Sequence, residues 1–238
     1  LLLAHGAGGT IQANFGPLIA PLARTFTVIG PDYPGSGKTE RATTPLTLDE
    51  LADRLVATAV AQGAEKFAVV GYSLGCTTAV RAATRHPDRV TGLVLTAGFA
   101  ALDESTRGTS ERWRTLASGD RKVLAKFVMS VVLSEAYDNR MSDVERGGFE
   151  DLIAATLPKG LVDQIDLVLK ADVREDLPKV AVPTLVIGME LDRLIPMRLS
   201  KDLADGIPGA QWATLQSGHA TSLEVARDWL RLIEGFLA

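Results

Sequence analysis

Along the chain, short runs of Val, Ile and Leu alternate with longer stretches whose apolar residues recur every three or four positions. The short runs cover residues 1–4, 25–29, 66–70, 91–96, 184–187 and 211–215. Most lack interior polar residues, as strands covered on both faces do. Strands that alternate with helices predict an α/β protein with a mostly parallel central sheet and crossover helices on its flanks.

The clearest helical period spans residues 48–62. Thr47 is its N-cap, with Glu50 three residues on to complete a capping box. Leu48, Leu51, Leu55 and Val56 form its apolar stripe, and Gly63 stops it. A second helix is expected over 74–86, ended by Pro87. A last one runs from 222 to near the C-terminus, with Leu223, Trp229, Leu230, Ile233 and Phe236 on its inner side. Between 98 and 182 the pattern is helical throughout. Val123, Leu124, Phe127, Val128 and Val131 make one stripe, Ser142 and Glu145 make a second capping box, and no strand signal returns before Pro183. This predicts a core of residues 1–98 and 183–238, with a helical cap subdomain, 99–182, inserted between two strands. No repeat or low-complexity linker interrupts the plan.

Composition narrows the function classes. The 238 residues are 46% hydrophobic and 23% charged, as in a folded globular chain. The 25 Lys and Arg against 29 Asp and Glu leave a net charge of −4, without the basic excess of a general nucleic-acid binder. No apolar run reaches the length of a membrane span. Cys76, the single cysteine, has no intrachain disulfide partner, which fits a reducing, cytoplasmic setting. The chain opens at Leu1, in mid-strand, so a preceding segment is expected and a removed leader stays open.

The chemistry centres on Gly71-Tyr72-Ser73-Leu74-Gly75, a G-x-S-x-G string between a predicted strand and a predicted helix. A strand that turns sharply into a helix strains its central residue and crowds the positions two before and two after, where glycine fits. Ser73 is thereby offered at the C-terminal edge of the sheet, above a helix N-terminus. A nucleophilic serine needs a base. His86 precedes Pro87 and reads as a surface cap, and His5 leads into a Gly-rich turn. His219, in the loop after the last strand, lies at the correct edge. Its orienting acid is Asp192, after the strand at 184–187, with Glu190 as competitor. The run His5-Gly6-Ala7-Gly8-Gly9 follows the first strand. There Ala7 N–H, with Leu74 N–H, suits an oxyanion hole, and Gly8 is the alternative donor. Two decoys drop out. Gly35-Ser36-Gly37-Lys38-Thr39 looks like the end of a phosphate loop, but Asp32 stands where glycine is required. No His, Cys, Asp or Glu cluster has zinc spacing, so neither metal nor cofactor is expected.

These pieces, with Asp32-Tyr33-Pro34-Gly35-Ser36-Gly37 and Gly218-His219, resemble the α/β-hydrolase family over essentially the whole chain. The family usually has arginine where Pro34 stands, often E-x-P where Glu224-Val225-Ala226 stands, and two strands before the one at Leu1. The resemblance implies a small-molecule hydrolase. Carboxylic ester, lactone or thioester cleavage comes first. C–C bond hydrolysis, a non-hydrolytic elimination or cyclisation, and ligand binding without catalysis are the alternatives. A serine at 73 argues against the relatives with an aspartate nucleophile. Tyr72, Trp113, Phe127, Met129, Leu133 and Phe149 are candidate pocket residues. The sequence says nothing of oligomeric state.

Overall fold

The computed structural model describes residues 1–238. Its centre is a five-stranded parallel sheet in the order β1-β2-β3-β4-β5: β1 (Leu2–Ala4), β2 (Phe67–Tyr72), β3 (Val90–Thr96), β4 (Thr184–Met189) and β5 (Gln211–Leu215). Side chains of successive strand residues point to opposite faces. In β2 and β3, Val69, Leu93 and Leu95 therefore enter one core layer while Val70 and Val94 enter the other. α1 (Ile11–Leu22) and α11 (Ala226–Leu237) cover the second face; α2 (Leu48–Ala61), α3 (Leu74–Arg85) and α9 (Met197–Gly206) cover the first. β5 is an edge strand with no fully buried residue.

Thr47 caps α2 as expected, accepting the Glu50 N–H at 3.2 Å. Gly63, at φ +82°, ends it, and Ala64 N–H folds back onto the Ala59 carbonyl at 3.0 Å. Several expectations need correction. Residues 25–29 do not form a strand. They run beside β1 through one parallel bridge, Leu2 with Ile29, with Leu3 N–H on the Ile29 carbonyl at 2.8 Å, and Gly30 and Pro31 end the run there. The C-terminal helix is broken into α10 (Thr221–Glu224) and α11 at Val225, whose φ of −141° leaves the helical region. Leu223 consequently faces outward, 42% exposed. Two helices carried no clear signal: α1, which has Pro17 and Pro21 inside it, and α9.

Between β3 and β4 lie α4 (Glu104–Leu116), α5 (Arg121–Val132), α6 (Glu135–Asp138), α7 (Asp143–Thr156) and α8 (Leu161–Lys170). The two ends of this insertion meet at an antiparallel bridge between Ala101 and Asp172. It has a small core of its own, Trp113, Leu124, Leu161 and Ile165, whereas Leu167, Val168 and Ala171 join the main core. Val123, placed in the sequence stripe, is 53% exposed. The Ser142–Glu145 capping box is complete. No helix is long and apolar enough to cross a membrane.

Candidate active site

A parallel sheet sends every β-to-α loop to one edge, and the loops after β1, β2, β4 and β5 carry the candidate residues. The turn from β2 into α3 leaves Ser73 at φ 55°, ψ −122°. That backbone state costs about 1–3 kcal/mol and must be held by its surroundings. Ser73 N–H donates to the Thr96 carbonyl at 3.0 Å. A Cβ at Gly71 would sit 2.6 Å from the Gly75 carbonyl oxygen, and one at Gly75 would fall onto the Ala4 carbonyl. Both motif glycines are thus close approaches of backbone to backbone. Cys76, beneath the turn, is buried, and burial pushes its thiol pKa up.

His219 Nε2 lies 3.1 Å from Ser73 Oγ, and its Nδ1 lies 2.6 Å from Asp192 Oδ2. Asp192 Oδ1 accepts the N–H groups of Leu194 and Ile195, both at 2.8 Å, so the carboxylate is fixed on both oxygens. Glu190 turns away to Thr214, 2.6 Å, and Gln216. Of the two acids weighed, Asp192 is the one in contact with His219. The His219 carbonyl accepts from Thr221 N–H at 2.8 Å and from the Tyr72 hydroxyl. Tyr72, the second residue of the motif, thus holds the loop that carries the histidine. Its own pKa is raised, first by burial and then by nearby acidic groups.

The other histidines have different duties. His5 is fully buried. Its Nδ1 donates to the Gly6 carbonyl at 2.7 Å, and its Nε2 accepts from Tyr33 N–H at 2.8 Å. Burial pushes its pKa down to about 4, so the ring is a neutral brace under the Gly-rich loop. His86 pairs with Asp53 at the surface, 2.7 Å apart.

In the Gly-rich loop, Gly6 N–H donates to Asn14 Oδ1 at 2.9 Å and Gly8 N–H to Gln164 Oε1 at 2.8 Å. Ala7 N–H, between them, has no protein acceptor, and neither has Leu74 N–H at the start of α3. Gly8, the alternative donor, is taken. Gln164 carried no sequence signal. It is fully buried on α8, and its Nε2 also donates to the Pro34 carbonyl at 3.2 Å and to Ser36 Oγ at 2.9 Å. Glu224 is a second unforeseen tie. It accepts from Ser134 N–H, Ser134 Oγ and Gly218 N–H at 2.8, 2.6 and 3.2 Å, and so joins the insertion to the His219 loop.

A cavity of about 400 Å³ opens beside Ser73 and His219. Tyr72, Trp113 and Phe149 line it, as expected; Phe127, Met129 and Leu133 do not. Phe127 lies on the outer side of α5 under the Arg112 guanidinium, 5.4 Å from its ring centre. Met129 and Leu133 are buried in packing away from the opening. α5 instead presents Val128, Val131 and Val132. On α7, Phe149, Leu152, Ile153 and Thr156 line the cavity. Their i, i+3, i+4, i+7 spacing is the signal that could have found them. No three His, Cys, Asp or Glu side chains converge to hold a metal ion.

A family model described as alpha/beta hydrolase fold matches residues 1–225. The chain is 31% identical over 239 residues to pyrrolizixenacetamide deacetylase of Xenorhabdus hominickii, covering 100% of this chain and 90% of that protein. It is 33% identical over 246 residues to 2-hydroxymuconate semialdehyde hydrolase of Pseudomonas putida, covering 100% and 86%. The crystal structure of the enol-lactonase from Burkholderia xenovorans LB400 matches with a TM-score of 0.86 at 25% identity, covering 99% of this chain and 88% of that one.

Proposed function

Because the chain belongs to the α/β-hydrolase family, we propose that it cleaves a carboxylic ester, or a closely related acyl bond, through an acyl-enzyme on Ser73. The observation that carries this reading is the unbroken line of contacts from Ser73 Oγ through His219 to Asp192. In the proposed reaction, Ser73 Oγ attacks the acyl carbon and passes its proton to His219 Nε2. Asp192 holds the ring in the tautomer that leaves Nε2 free, and it stabilises the cation formed. The carbonyl oxygen takes up negative charge between the N–H groups of Ala7 and Leu74, assisted by the N-terminus of α3. Collapse expels the alcohol, which leaves with the proton from His219. Water then gives a proton to His219 and attacks the acyl carbon. The acid departs, and the proton returns to Ser73.

The same steps serve an amide, with an amine as leaving group, and the name of the Xenorhabdus relative favours including that bond. The name of the Pseudomonas relative keeps a second reading open, hydrolysis of a keto-acid semialdehyde at a C–C bond. A fluorophosphonate probe read by intact mass tests the nucleophile. One adduct is expected on the parent and none on a folded Ser73→Ala variant. A parent that takes no adduct, or a variant that still turns over, rejects the mechanism.

A further inference from the structure

We propose that the cavity beside Ser73 selects uncharged acyl substrates and turns carboxylates away; the proposal rests on the hydrolase reading above. No Asp, Glu, Lys or Arg borders the cavity. The wall given by the insertion is hydrocarbon, from residues such as Val128, Val131, Phe149, Ile153 and Leu157. The polar groups on the lining are uncharged; Trp113 Nε1 is buried without a partner, and others are engaged elsewhere. Asn14 Oδ1 accepts from Gly6 N–H, the Tyr72 hydroxyl donates to the His219 carbonyl, and Thr156 Oγ1 donates to the Leu152 carbonyl at 2.8 Å.

Six charged residues are sequence neighbours of lining residues, and each has a partner outside the cavity. Arg112, next to Trp113, lies over the Phe127 ring, and Arg114, on its other side, pairs with Asp166 at 2.9 Å. Glu150, next to Phe149, faces Lys126 at 4.0 Å, and Asp151, next to Leu152, faces Lys122 at 3.1 Å. Arg193, next to Leu194, donates to the Leu133 carbonyl at 2.7 Å. Glu224, next to Leu223, is held by Ser134. A substrate carboxylate entering this space gives up its hydration and meets no cation, and buried charge is tolerated only when paired. An anion finds only neutral donors, Trp113 Nε1 on the wall and the free N–H groups of Ala7 and Leu74 at Ser73. A carboxylate seated there displaces the carbonyl that must react. Neutral esters, lactones and amides face neither obstacle. The volume, near the lower end of the about 300–1,000 Å³ typical of ligand pockets, suits a small to medium acyl group. The selection separates ester or amide cleavage from the keto-acid reading.

The test uses two fluorophosphonates of equal chain length, one ending in methyl and one in carboxylate, with the rate of Ser73 labelling followed by intact mass. The neutral probe is expected to label at least about a hundredfold faster, equivalent to about 2.7 kcal/mol. Placing a cation at the rim with Leu152→Arg is expected to narrow that ratio about tenfold. Equal labelling by both probes overturns the inference and leaves the serine mechanism standing. Failure of both probes to label Ser73 in folded protein brings down the mechanism and the inference together.

Discussion

Gln164 offers a demanding test, because it lies outside the cavity lining and on the insertion, far in sequence from the loop it supports. Gln164→Met keeps the side-chain length and removes both polar ends. Three hydrogen bonds disappear: from Gly8 N–H, to the Pro34 carbonyl and to Ser36 Oγ. At about 0.5–1.5 kcal/mol each, the loss comes to about 3 kcal/mol. Pro34 and Ser36 are buried and cannot turn to water for compensation. For a chain of this length, 1 kcal/mol moves the melting temperature by about 2–4 °C, so a fall of about 6–12 °C is expected by calorimetry. The kinetic effect follows from the loop. Without Gln164, Gly8 is released, and Ala7 N–H no longer has a fixed direction. Complete loss of one oxyanion donor costs a factor of about 10² to 10³. A displaced donor costs less, and kcat on a neutral ester should fall about tenfold or more while KM changes little. A Gln164→Met protein that melts within about 2 °C of the parent and turns over at the parent rate refutes the argument.

Asp192→Asn retains the contacts to Leu194 and Ile195 but loses control of the His219 tautomer, so kcat should fall about 10³- to 10⁴-fold with the fold intact by circular dichroism; retention of a tenth of the parent rate contradicts its role. Tyr72→Phe removes one donor from the His219 carbonyl while Thr221 remains, and a loss of about 1 kcal/mol in urea unfolding, with a modest drop in kcat, is expected. His5 has its folded pKa depressed to about 4 from the ordinary 6.5. The unfolded chain then binds more protons between those values, so His5's contribution to stability is full above pH 6.5 and lost as pH falls toward 4. Its ring resonances should stay at their neutral position from pH 7.5 to about 5, and an NMR midpoint near 6.5 would show the ring to be solvated. Ile153→Ala enlarges the cavity from α7, and an ester series should show the optimum acyl chain lengthening, at a cost in stability of about 1 kcal/mol or less.

What the sequence made legible follows from how local each constraint is. The turn at Ser73 writes itself into five consecutive residues, because Gly71 and Gly75 must each clear backbone within hydrogen-bonding distance. Asp192 and His219 were legible at one remove: strands could be read, and a parallel sheet brings their exits to one edge. α1 was obscured by Pro17 and Pro21, which argue against a helix until its packing against α11 is known. Residues 25–29 have the composition of a strand, but composition does not tell how many of them find a neighbour, and only Ile29 forms a bridge. The pocket was the least legible part. Large apolar side chains suit both a core and a cavity, and only the rotation of α5 decided that Val128 and Val131 face the opening while Phe127 does not. Gln164 and Glu224 act across long sequence separations and leave no periodic trace.

Those two residues also bear on how the site is built. Gln164 on α8 fixes the Gly8 end of the Gly-rich loop. Val132, Leu133 and Ser134, at the end of α5, hold the loops of His219 and Asp192 through Ala220 N–H, Arg193 and Glu224. The insertion is therefore joined to the proposed machinery at both ends of the cavity, and truncating α5 or α8 disturbs geometry as well as specificity. α7 differs. It rests on α5, buries only Ala154, and gives the cavity Phe149, Leu152 and Ile153 without a hydrogen bond to any of those loops. In the proposed mechanism, specificity and geometry are thus assigned to different helices of one insertion. A change in acyl preference can come from α7 with little kinetic penalty, whereas the same change sought through Val131 or Val132 shifts the segment that positions His219.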